Sequence, residues 1–288
     1  GVYPQGPLDL SVSGFLDSGL LGALSGVVKT AGKVRIDARV TGALDAPVLS
    51  GRAEMDNGKV ALHSPRMAAD DVKVRLDLTS DALLVREFTG VLNGGAVSIE
   101  GSVGYRSGIY NGIDLKARLE DVFLNFPEGL KSSSSGNLTM KSEEDAIIIG
   151  GDMRVMESSY RESIEVGGQL VNYLKSQQVV TLVEDPHPFL DRIRFDIAVR
   201  TATPLLVQNN IARVEASTTN LRLVGSYADP SVVGRVTLGE GGEIVLNQQT
   251  YYINQGVVTL VNQSRIEPEF NIQAQTKIDL YEIPLQLT

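Results

Sequence analysis

Phe270-Asn271-Ile272-Gln273-Ala274-Gln275-Thr276-Lys277-Ile278-Asp279-Leu280 sets Phe270, Ile272, Ala274, Ile278 and Leu280 at alternate positions, with Asn271, Gln273, Gln275, Lys277 and Asp279 between them. Successive side chains of a strand point to opposite faces, so this spacing predicts one apolar and one polar face. Strands of a parallel sheet covered on both sides would be apolar throughout, and the charged alternate positions therefore predict antiparallel sheet. The same pattern recurs along the chain. Val34-Ile36-Ala38-Val40 alternates with Arg35, Asp37 and Arg39, and Val72-Val74-Leu76-Leu78 with Lys73, Arg75 and Asp77. Ile113-Leu115-Ala117-Leu119 and Ile193-Phe195-Ile197-Val199 carry charged residues at the intervening positions as well. The fold class this predicts is all-β.

Glycine pairs at Gly94-Gly95, Gly150-Gly151 and Gly241-Gly242 mark expected strand ends, and Asp56-Asn57-Gly58 and Leu92-Asn93-Gly94-Gly95 have the form of hairpin tips. Two stretches depart from the alternation. Between Asp17 and Ala31 the residues Leu20, Leu21, Leu24, Val27 and Val28 follow helical spacing, with Asp17 or Ser18 as N-cap and Gly32 as the stop. From Glu162 to Gln178 a second helical pattern sets Val166, Leu170, Val171 and Leu174 on one face, interrupted by Gly167-Gly168. Ser132-Ser133-Ser134-Ser135-Gly136 reads as a flexible loop, and Glu143-Glu144-Asp145 as a turn. The Ser run divides the chain into an expected N-terminal β segment, 1–131, with its short amphipathic helix near 18–30, and a C-terminal one, 132–288.

An internal repeat links the two. Gly42, Pro47, Gly51, Arg52 and Gly58 recur as Gly225, Pro230, Gly234, Arg235 and Gly241 at one constant displacement, and Lys59-Val60-Ala61-Leu62 answers to Glu243-Ile244-Val245-Leu246 after one inserted residue. A single turn-strand-turn-strand unit used twice accounts for this. A partial third copy runs from Gly136 through Gly151 and Val155.

The net charge of -9 argues against a nucleic-acid surface, which requires a concentrated basic stripe. With no Cys there are no disulfides and no thiolate sites. No apolar run reaches the ~18 residues of a membrane helix, and the first residues lack the basic, apolar and cleavage regions of a signal peptide. The abrupt ends read as those of a segment of a longer protein, whose end strands would take up another strand. Catalytic chemistry lacks its parts. His63 and His187 have no converging partners, and Gly239-Glu240-Gly241-Gly242-Glu243 lacks the Lys-Ser/Thr and helix of a phosphate loop. Asp70-Asp71 and Glu143-Glu144-Asp145 lack calcium-loop spacing. No enzyme, catalytic residue, metal or cofactor is expected.

The repeated phrase is fullest in Asp229-Pro230-Ser231-Val232-Val233-Gly234-Arg235-Val236, followed by Gly241-Gly242-Glu243-Ile244-Val245-Leu246. Tyr252-Ile253-Asn254-Gln255-Gly256-Val257-Val258-Thr259-Leu260 and Ile266-Glu267-Pro268-Glu269-Phe270-Asn271-Ile272-Gln273-Ala274 come after it. This order resembles the AsmA-like superfamily of bridge-like lipid transfer proteins and, within it, the TamB C-terminal domain family. The likeness is best over about 190 to 284 and looser over 30 to 105; Tyr252 and Leu260 stand where members commonly carry a large aromatic such as Phe.

The resemblance implies an elongated, strongly curved antiparallel sheet folded as a β-taco, apolar within, which the one or two short helices read from the spacing interrupt. It implies a periplasmic location in a Gram-negative-type envelope, in a protein anchored to the inner membrane by a segment outside this stretch. The implied partners are phospholipid acyl chains and an outer-membrane barrel of the TamA type, with no nucleic acid. A closed sandwich needs the same alternation as an open groove, and the resemblance favours the groove. Its expected lining is Ile193, Phe195, Ile197, Val199, Ile244, Leu246, Phe270, Ile272, Ala274 and Ile278. The rival readings are an assembly factor offering the edge from Tyr281 to Leu287, weakened by the missing donor of Pro284, and a passive scaffold.

Overall fold

The computed structural model describes residues 8–25, 28–43, 46–62, 66–106, 109–125, 129–162, 189–263, 268–278 and 281–288. The fold is all-β, in two compact units: Gly1–Phe123 with Thr139–Glu143, and Leu124–Leu138 with Glu144–Thr288.

The first unit contains β1 (Leu8–Asp17), α1 (Ser18–Ser25), β2 (Val28–Ala31), β3 (Lys33–Ala43), β4 (Ala46–Leu62), β5 (Met67–Leu78), β6 (Ala82–Leu92), β7 (Gly95–Arg106) and most of β8 (Ile109–Asn125). They form an antiparallel meander in which β1 pairs with β3, and β3 to β8 pair in sequence. β2 and β3 lie along one edge of β4 and behave as one strand interrupted at Gly32. The register aligns Leu16, Val34, Met55, Val74, Phe88, Ile99 and Ala117 across the sheet. Paired residues share a face, so the alternation in each strand adds up to one apolar surface with Val34, Ala53, Met55, Ala69 and Val72 buried.

The opposite face carries a charge ladder. Asp37 lies opposite Arg52, and Arg52 opposite Asp77. Asp77 accepts from Arg52 at 3.1 Å and from Arg86 at 2.8 Å. Lys59 reaches Asp70 at 3.1 Å, and Arg39 reaches Asp9 at 2.8 Å. Exposed pairs of this kind stabilise weakly; their alternation chiefly disfavours slipped registers, which would set like charges side by side.

The second unit contains most of β9 (Leu130–Glu143), then β10 (Ala146–Tyr160), a 3-10 turn at Leu190–Arg192, β11 (Ile193–Thr201), β12 (Leu205–Gln208), β13 (Ala212–Ser226), β14 (Pro230–Leu238), β15 (Glu243–Leu246), β16 (Gln249–Leu260), β17 (Pro268–Ile278) and β18 (Tyr281–Leu287). β11 and β12 share the same edge of β13, and β14 and β15 its other edge, so each couple is again one interrupted strand. Pairing from β11 through β18 is antiparallel. β10 runs parallel to β11 and β12, which makes the sheet mixed where alternation predicted only antiparallel pairs. A parallel neighbour needs a crossover of a dozen residues or more, and residues 161–192 supply that length.

The structure corrects four local expectations. Asp17 caps α1, its Oδ1 accepting the Gly19 N–H at 2.8 Å, but the helix ends at Ser25 and Val28–Ala31 is strand. Ladder pairing of Val28 with Leu62 and Thr30 with Val60 outweighs the weak helical preference of β-branched residues. Asp56-Asn57-Gly58 is not a hairpin tip; it forms a bulge inside β4, with Asn57 at φ 54. Gly150-Gly151 likewise lies inside β10. Ser132 to Gly136 is not a loop; it lies in β9, where Ser132 and Ser134 are buried and their hydroxyls pair at 3.3 Å. The tip at Asn93-Gly94 and the turn at Glu144 are as the sequence predicts. His63, His187 and residues 163–178 of the second expected helix lie outside the described residues.

Candidate functional site

The second unit presents a long run of apolar residues on one face. From β10 to β11 the parallel register sets Ile147 beside Ile193, Ile149 beside Phe195 and Met153 beside Val199. From β11 to β13, Ile197 lies opposite Leu223 and Val199 opposite Leu221. Leu223 meets Val232 of β14, and Ala216 meets Leu238. β14 passes the same face to β16 through Val236 and Val258, and β16 to β17 through Val258 with Phe270, Gly256 with Ile272, and Ile253 with Ala274. β18 extends it with Leu287 opposite Ile272 and Leu285 opposite Ala274.

Packing follows the register. Val214, Ile244, Ile253, Ile272 and Ala274 are buried together, with Leu238, Leu246, Phe270 and Leu285 against them. Ile272 is 4% exposed and Ile253 1%. Each such side chain removed from water contributes about 1.5–3 kcal/mol. The reverse face is wet: Gln273, Gln275 and Lys277 are exposed, Arg222 pairs with Asp196, and Asn254 Nδ2 donates to Gln275 Oε1 at 3.3 Å.

Of the ten expected lining residues, Ile244, Leu246, Phe270, Ile272 and Ala274 belong to this one cluster. Ile193 and Ile197 are buried, with Phe195 and Val199 half-buried, further along the same face. Ile278 ends β17 opposite Tyr281. The sequence reading missed Val214 and Ala216, although Ala212-Val214-Ala216 alternates plainly with Arg213 and Glu215. It also missed Ile253, because the bulge between Ile253 and Gln255 shifts the alternation of β16 by one residue.

The repeated glycines sit at equivalent places. Gly42 pairs with Pro47 where β3 meets β4, and Gly225 with Pro230 where β13 meets β14. Gly51 and Gly234 have φ +156 and +138, and a Cβ on either would fall 2.4 Å from Asp37 O or 2.7 Å from Asn220 O. At both places the backbone conformation and the close neighbouring strand fit glycine alone.

Among the described residues, no group of His, Asp and Glu is placed to hold a metal, and no helix is long and apolar enough to cross a membrane. A family model described as the TamB C-terminal domain matches residues 86–286, more than two thirds of the chain. No curated protein and no solved structure gives a match.

Proposed function

The chain belongs to the TamB C-terminal domain family, a family of envelope transport and assembly proteins whose members work with a TamA partner, and we propose that its apolar face carries phospholipid acyl chains between the inner and outer membranes. The observation that carries this reading is the apolar register that runs from Ile147 on β10 to Leu287 on β18, with charged and amide residues such as Arg194, Asp196, Arg222, Arg235, Asn271 and Gln273 on the reverse face. The face is the wall of a groove in which acyl chains lie against Ile193, Phe195, Ile197, Val199, Ile244, Leu246, Phe270, Ile272, Ala274 and Ile278. Each methylene taken from water contributes about 0.8 kcal/mol, so a modest length of tail gives useful affinity. Such contacts are non-directional, and a tail slides along them without breaking specific bonds while its headgroup stays in water. No step in this requires an enzyme. The protein works in the periplasm, as part of a chain anchored at the inner membrane.

The test is mass spectrometry of phospholipid that copurifies with the protein. Ile272→Arg places a charge on the wall and lowers bound lipid more than about tenfold, while Gln273→Arg on the wet face leaves it unchanged. Equal lipid in both folded variants overturns the reading.

A second reading is favoured by β18, whose Tyr281 is 76% exposed and whose ladder, among the described residues, runs only to β17. In that reading Tyr281–Leu287 pairs with a strand of the TamA-type barrel. Cysteines across 281–287 that crosslink to the barrel, in protein free of lipid, favour it over transport.

A further inference from the structure

We propose that Arg154 and Arg200, side by side on the wet face of the second unit, form a binding site for a phosphate monoester. The parallel register of β10 and β11 sets Arg154 directly beside Arg200, and both are exposed. Neighbouring strands lie about 4.8 Å apart, so the two guanidinium groups are rooted within one strand spacing. Like charges placed together in this way oppose folding. Other arginines of this protein stand against carboxylates: Arg52 and Arg86 against Asp77, Arg213 against Glu243, and Arg222 against Asp196. Among the described residues Arg154 and Arg200 make no ion pair and no side-chain hydrogen bond. Asp152 shares their face, two residues before Arg154, yet among the described residues it pairs with neither, and Asp196 is already held by Arg222.

The surroundings add donors. Beyond the paired Val199 and Leu221, the next residues of β11 and β13 are Arg200 and Asn220, and Asn220 is exposed at φ 54. Arg235 of β14 lies opposite Thr219 on the same face, about 10 Å across from Arg200. It too is exposed and, among the described residues, without an ion-pair partner. Three arginines and one amide thus gather on one face of a chain whose net charge is -9. A guanidinium presents a planar fork of N–H donors and keeps its charge at every working pH. Two forks are filled together by a tetrahedral group with three free oxygens and nearly two negative charges, which is what a phosphate monoester offers at neutral pH. A carboxylate, with two oxygens and one charge, fills one fork and leaves the second guanidinium unneutralised. Nucleic acid spreads its charge along a strand and needs a longer basic stripe than three arginines give. The site lies on the reverse of the proposed acyl wall and does not depend on the transport reading.

The test uses inorganic phosphate, added at constant ionic strength in place of chloride so that screening alone changes nothing. Near saturation it raises the melting temperature of the unmodified chain by at least about 2 °C. Arg154→Gln with Arg200→Gln removes that rise and, in phosphate-free buffer, melts at or above the unmodified chain because the repulsion is relieved. Arg213→Gln, on the same face but paired with Glu243 in the parent, keeps the rise. Two arms separate the sources of the phosphate. Cosedimentation with vesicles of phosphatidic acid in phosphatidylcholine, lost in the double variant, identifies a lipid headgroup; the phosphate-dependent rise without cosedimentation identifies a soluble monoester. No rise in the unmodified chain, an equal rise in the double variant, or a double variant that melts lower than the unmodified chain in phosphate-free buffer overturns the proposal.

Discussion

Ile272 of β17 lies directly opposite Gly256 of β16. The space a side chain would take at 256 is filled from β14, where Leu238, the partner of Gly256 on its other side, would stand 2.9 Å from an added Cβ. A short residue thus lets Leu238 lean toward Ile272, closing the apolar row across three strands. Gly256→Val is expected to displace Leu238 and lower stability by about 1–3 kcal/mol through overpacking. Chemical denaturation measures it; a neutral change would mean that the row is loosely packed.

Asn93 is a second structural joint. At φ 45 on the tip between β6 and β7, its Oδ1 accepts the Ala68 N–H at 2.8 Å, and its Nδ2 donates to Phe123 O at 2.9 Å, so one side chain ties β5 to β8. Asn93→Ala removes both bonds from a left-handed position that Asn tolerates better than Ala. The expected loss is about 1–3 kcal/mol, with faster amide exchange at Ala68. Unchanged exchange would contradict the bridge.

The repeat predicts matched sensitivity. Gly51→Ala and Gly234→Ala each bring a Cβ into a backbone carbonyl at a positive φ, and each is expected to cost about 1–3 kcal/mol or more. Gly94→Ala, at the φ +88 tip with open space around it, retains the backbone strain without the clash and costs less. Thermal melts of the three variants rank them; equal losses would remove the steric part of the argument.

Acid should weaken the charged face in a defined direction. Hydrogen bonds from Arg86 and then Arg52 hold the Asp77 carboxyl below its ordinary range. A carboxyl depressed in the folded state stabilises fully above the unfolded value near ~4, and that contribution fades as pH falls toward the lower folded value. The melting temperature of Asp77→Asn is therefore expected below that of the parent at neutral pH, with the gap narrowing below about pH 4. A gap constant across that window would show that the carboxylate charge is not what matters.

Much of this was legible in the sequence, for physical reasons that also explain the failures. Alternation in Phe270 to Ala274 and Ile193 to Val199 reports a local property, the side on which each residue stands, and the structure keeps every one of those sides. The Gly-Pro-Gly repeat was visible because a positive φ hard against a neighbouring strand requires glycine wherever it occurs. Bulges were not visible: Asn57-Gly58 satisfies a tip and an interior bulge equally, and one inserted residue at Asn254 hid Ile253. Serine composition suggested a loop at 132–136, but paired hydroxyls let Ser132 and Ser134 be buried in β9. The parallel partnership of β10 and β11 depends on a contact distant in sequence, which no local pattern encodes. The family match also begins at residue 86, well before the stretch around 190 where the motifs are fullest.

The most direct measurement of the transport reading is photo-crosslinking from neighbouring positions on opposite faces. A photoreactive residue at 272, on the apolar wall, and another at 273, on the wet face, are compared in folded protein loaded with phospholipid. The account predicts lipid adducts from 272 and none from 273. Failure of 272 to capture lipid, or equal capture from both positions, would contradict it.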